Sequence, residues 1–132
     1  MLEYELLRNE GILIVAPKAP LKVEDFKELN RKVDPYIAEM GKLKGLMIYT
    51  STFPGWETFE AFLAHIKFIK NHHQKTDKVA VATDSKLLAI LTHIASHFVQ
   101  AEIRFFSCQD KETARDWLKS KGTNIQDVTK GE

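Results

Sequence analysis

Apolar residues in this chain come in short continuous runs and in spaced stripes, and the two kinds alternate. LEYELLR (2–8) and GILIVA (11–16) read as strands. Asn9-Glu10-Gly11 between them is a short polar turn ending in glycine, which predicts an antiparallel hairpin. Pro17 and Pro20 punctuate its exit. Val23, Phe26, Leu29, Val33, Ile37 and Met40 then recur at spacings of three and four, the period of a helix. Glu24 and Asp25 fall in its first turn, where the helix dipole favours anions. Pro35 removes an amide donor and crowds the preceding turn, so a kink or split is expected near Arg31–Asp34.

Beyond that point runs and stripes take turns. LMIYT (46–50) is a continuous apolar run suited to a buried parallel strand. A helix is predicted from about Trp56 to His72, with Phe59, Phe62, Leu63, Ile66 and Ile69 as its stripe. KVAVAT (78–83) is a second buried strand. Asp84 or Ser85 can cap a third helix whose stripe is Leu87, Ile90, Leu91, Ile94 and Phe98. AEIRFFS (101–107) is a strand of mixed pattern. Asp110 can cap a last helix that packs Ala114, Trp117 and Leu118 and stops at Gly122, after Lys119 and Lys121. The order implies one α/β domain over residues 1–122. It has an N-terminal hairpin, a mixed sheet with right-handed crossovers and about four covering helices. Residues 123–132 form a polar tail.

Composition narrows the class. The 132 residues suffice for one core, and 19 basic against 18 acidic residues leave a net charge of +1. No strong field exists to hold nucleic acid. Cys108 is the single cysteine, so no internal disulfide forms, which suits a reducing cytosol. The longest apolar runs, Ile12–Ala16 and Leu87–Leu91, are far too short to span a bilayer. MLEYELLRNE is acidic and lacks the apolar centre of a signal peptide. A cytoplasmic protein is the expectation.

The chemistry concentrates in STFPGWE (51–57), between a strand and a helix start. Phe53 and Trp56 put large apolar surface beside free helix amides, which suit a carboxylate or phosphate head. A ligand with an acidic head and an apolar body fits such a corner. Alternatively, the two aromatics cap the core and Pro54-Gly55 only shapes the turn. His93 and His97 have a zinc-chelating spacing, but no acidic or cysteine ligand adjoins them and no HExxH is present. His72-His73 sits at a helix end, so a surface or helix-end role is expected for all four. Cys108 precedes the last helix without a CxxC, and Asp84 and Ser85 lack a GxSxG elbow. No catalytic constellation, metal site or cofactor motif emerges, and an enzyme is not expected. Tyr36 and Phe68 fall off their stripes. If exposed, they and an edge strand would favour a homodimer or a protein partner.

The segment DKVAVATDSKLLAILTHIASHFVQAEIRFFSCQDKETARDWL (77–118) resembles the C-terminal half of the SpoIIAA-like family of small bacterial proteins. The element order is similar to the STAS domains over roughly residues 2–120. The resemblance implies two functions. Anti-sigma antagonists carry a phosphorylatable serine in a DSSG-like loop between the third strand and the next helix, and bind a kinase partner. The fold is also similar to the Sec14 lipid-binding domain, which implies an apolar small-molecule ligand. Aligning Gly55 with the glycine of that motif puts Pro54 where the phosphoacceptor would lie and Phe53 in place of the other small polar residue. No aspartate precedes them. Ser51 and Thr52 remain as shifted acceptors. The reading is a non-enzymatic binding or regulatory domain taking a small, partly apolar, lipid-like ligand near 51–57. Thr52, Phe53 and Trp56 would contact it, with Gly55 shaping the backbone. The alternative is a STAS-type signalling module phosphorylated at Ser51 or Thr52.

Overall fold

The computed structural model describes residues 2–120. β1 (Leu2–Leu7) and β2 (Ile12–Pro17) form the hairpin. They are followed by α1 (Val23–Met40), β3 (Leu43–Thr50), α2 (Phe59–His72), β4 (Thr76–Thr83), α3 (Lys86–Ala95), β5 (Glu102–Phe106) and α4 (Lys111–Lys119). Gly11 closes the hairpin turn at φ +71°, a left-handed conformation that a side chain would strain. The strands lie in chain order, β1-β2-β3-β4-β5, with β1 antiparallel to β2 and all other neighbours parallel.

That order decides where the helices go. Each crossover steps one strand further in the same direction, so right-handed connections put α1, α2 and α3 on one face. Leu13 and Val15 of β2 and Val81 of β4 meet Phe26, Leu29, Val33 and Leu88 there. On the other face, Ile12, Ile14, Met47 and Ala80 meet Ala114 and Leu118 of α4, with Trp117 and Phe106 packed at the margin. Gly45 makes room for this helix: a Cβ on it would stand 2.8 Å from Leu118 Cδ2. The C-terminal end of α4 is held by Lys78, whose Nζ donates to the carbonyls of Trp117 and Ser120 and to Ser120 Oγ. α4 ends at Lys119, with Ser120 as its extended C-cap, short of the stop expected at Gly122. Gly122 itself and the tail 123–132 lie outside the described residues.

Two expectations about the helices are corrected. Of the kink or split expected near Arg31–Asp34, the split does not occur: α1 runs unbroken through Pro35. Pro35 and Arg31, whose carbonyl loses its amide partner, are both exposed, so water can replace the missing bond. The second correction concerns which way stripes face. α1 follows its pattern except that Met40 is exposed and Tyr36, off the stripe, is buried with its hydroxyl donating to the Arg8 carbonyl. In α2 the inward residues are Ala61, Ala64, Phe68 and His72, while Phe59, Leu63 and Ile66 face outward. In α3 only Leu88 is buried, and Leu87, Ile90 and Ile94 are exposed, as is Phe98 beyond its end. α2 leans on α1 through Phe26, which stacks on His65 and meets Phe68. His72 adds a hydrogen bond to Asp34 of α1, so this side of α2 is the one that faces inward.

Candidate functional site

Loop 51–57 leaves β3 and is pinned before it opens α2. Leu21 N–H donates to the Gly55 carbonyl and Glu57 N–H donates to the Leu21 carbonyl, forming a one-residue parallel bridge between Leu21 and Trp56. Gly55 sits at φ +82°, which explains a glycine there. Thr50 Oγ1 donates to the Thr52 carbonyl, tightening the turn. Thr58 then caps α2 by accepting from Ala61 N–H. Ser51 and Thr52 are exposed, while Phe53 keeps 9% of its surface and joins the core.

Trp56 links the loop to the helix. It meets Phe53 and Phe62 edge-on, and Phe62 stacks on Phe59. Its indole N–H donates to His65 Nδ1 at 3.0 Å, so the neutral ring carries its proton on Nε2. Burial among Phe26 and Trp56 lowers the His65 pKa from 6.5 to about 4. Sequence reasoning did not single out His65. Its signal was a second periodic set, Ala61, His65, Phe68 and His72, parallel to the obvious stripe. The structure thus joins Phe53 and Trp56 in one aromatic row and leaves Thr52 outside it. The row ends at Phe59, 72% exposed, from which the apolar stripe of α2 continues through Leu63 and Ile66.

The histidines divide. His72 ends α2, as the helix-end reading expects, but it is buried and not at the surface, with Nδ1 2.7 Å from the Phe68 carbonyl and Nε2 2.7 Å from Asp34 Oδ1. One ring nitrogen thus lies against the helix backbone and the other against the Asp34 carboxylate of α1. His72 and Asp34 border a polar groove of about 500 Å³ that also includes Asn30, Asn71 and Lys75. His73 Nδ1 accepts from Gln100 N–H. His93 and His97 are exposed and meet edge-on. Among the described residues no group of three or more His, Cys, Asp or Glu is placed to hold a metal.

Near the carboxyl ends of the strands, Asp84 Oδ1 accepts from Cys108 N–H and Ser107 Oγ. Ser85 rather than Asp84 caps α3. The charge of the neighbouring Cys108, and a hydrogen bond to it, push the Tyr49 phenol above its ordinary value. Lys111 Nζ lies 4.5 Å above the Tyr49 ring. Among the described residues no histidine ring is hydrogen-bonded to Cys108; the bonded rings pair with Trp56, Phe68, Asp34 and Gln100. No helix of the described residues is long and apolar enough to cross a membrane.

A five-stranded mixed sheet with three crossover helices on one face and a C-terminal helix on the other defines a single-domain, STAS-like α/β protein. The SpoIIAA-like family model matches residues 12–119, and the chain belongs to that family. A crystal structure of an uncharacterized DUF3478-family protein from Shewanella loihica PV-4, with a SpoIIAA-like fold, superposes with a TM-score of 0.66. It shares 22% identity, over 89% of this chain and 92% of that one, and supports the fold. No curated protein matches the sequence.

Proposed function

We propose that this domain is a non-enzymatic binding module that takes a small, partly apolar, lipid-like ligand against loop 51–57 and the outward face of α2. One observation carries the reading: the aromatic row Phe53–Trp56–Phe62–Phe59 runs from the core into the exposed stripe Phe59, Leu63 and Ile66. Exposed apolar side chains in a line cost solubility and are kept where something covers them. Trp56 and Phe59 would take the apolar body, and the Thr52 hydroxyl would meet the polar head. Phe53 supports the row from beneath, and Gly55 supplies the turn. The reading takes the domain as cytoplasmic, supported by its single cysteine.

Native mass spectrometry of freshly purified protein should find a bound lipid-like species, and fatty acids or lysophospholipids should bind. The paired change Phe59→Ser, Leu63→Ser should remove that binding without unfolding, since both residues are exposed. An empty protein that binds nothing from such a panel sinks the ligand reading.

A second reading, a STAS-type protein-interaction switch, is favoured by the exposure of both Ser51 and Thr52. A phosphate there would act only through new cationic or amide partners. Phosphopeptide mapping of protein from its native cells should find the modification. Unmodified residues, with partner capture unchanged by Thr52→Ala, would remove this reading. The binding-module reading also includes pairing with a second copy, supported by β5 lying at the edge of the sheet.

A further inference from the structure

We propose that a second copy of this chain covers the outward face of α3, in a two-fold pairing centred near Ile90. The inference rests on the homodimer reading and assigns it a surface. Leu87, Ile90 and Ile94 project outward at more than half exposure, Phe98 follows at 78%, and Phe105 of β5 adds 41%. Together they expose on the order of 550 Å² per copy, so a pair that covered all of it would remove roughly 1,100 Å², at the lower limit for a specific interface.

Shape and charge favour a like partner. Between α3 and β5 runs an apolar groove of about 350 Å³, lined by Ala89, Ile90, His93, Ile94 and Phe105. Ile90 and Ile94 form one wall of that groove and Leu87 continues the wall along α3, so a single apolar face carries both a raised edge and a hollow for a two-fold contact. From residue 86 to residue 98 the only fixed charge is Lys86, and no acid is present. One cation attracts an anionic membrane weakly, at about 1 kcal/mol. A nearly uncharged face does not repel its own copy. Lys86 also sits in the first turn of α3, which has no acidic residue there, at the positive end of the helix dipole. Antiparallel pairing of α3 with its copy would bring each Lys86 to the negative end of the facing helix.

The full chain should sediment as a dimer at tens of micromolar, and Ile90→Glu should shift it to monomer, weakening association by at least about 100-fold. Ile94→Asp should act the same way, and both variants should keep the wild-type circular dichroism because the residues are exposed. Leu63→Glu, on α2, should leave the dimer intact. A monomeric wild type overturns both this inference and the homodimer reading, including a monomer that instead sediments with anionic vesicles. A dimer that survives both α3 substitutions overturns the α3 assignment alone.

Discussion

Leu118→Ala should lower the unfolding free energy by about 3 kcal/mol. Leu118 is 1% exposed and is one of two buried residues by which α4 holds its face of the sheet. Truncation removes its transfer energy and leaves a cavity over Gly45, because the β3 backbone beneath has no side chain to fill it. The partner position gives a sharper test. Gly45→Val alone should also destabilise, since a Cβ there would lie 3.1 Å from Leu118 Cβ as well as against the end of its side chain. In the Leu118→Ala background the same valine occupies the vacated space and gains strand propensity. Denaturant titrations of the four proteins should therefore give a coupling of at least about 1 kcal/mol in favour of the double variant. Additive losses would show that Gly45 and Leu118 do not share one packing site.

The same pair shows what the sequence could reveal. Leu118 and Ala114 were legible as core because α4 has one stripe and one possible partner surface. The strands were legible because runs such as LMIYT and KVAVAT have no polar face to put in water. The glycine in β3 carried no such message, since its reason is Leu118, more than seventy residues later. The outward faces of α2 and α3 were illegible for a different reason. Periodicity tells that Phe59, Leu63 and Ile66 share a side; it does not tell which side meets the sheet. In α2 the inward side is the one α1 meets, where Phe26 packs on His65 and Phe68 and Asp34 bonds to His72. Histidines on a helix read as solvent residues when those partners, Trp56 and Asp34, are distant in sequence. At the candidate site, the strand-to-helix turn and its aromatics could be read directly. The bridge to Leu21 and the bond to His65 required the fold.

His65 should make the domain acid-sensitive in a defined window. Its folded-state pKa is lowered from 6.5 to about 4, mainly by burial. Between those values the unfolded chain holds the proton and the folded protein does not, so stability rises with pH there. The contribution is complete above about pH 6.5 and is lost as the pH falls toward 4. From pH 7.5 to pH 4.5 the loss due to this one ring should be about 2.5 kcal/mol. His65→Gln keeps an acceptor for the Trp56 N–H but does not titrate in this range. Denaturant titrations at the two pH values should therefore show a difference smaller by about 2.5 kcal/mol in the variant, with the carboxylate contributions common to both proteins cancelling. Equal differences would mean that the ring is hydrated and titrates normally. The consequence reaches the candidate site, because protonating Nδ1 removes the acceptor that holds Trp56. The aromatic row from Phe53 to Phe59 should then loosen at its centre before the sheet unfolds, since Trp56 is its only link between loop and helix that depends on a proton.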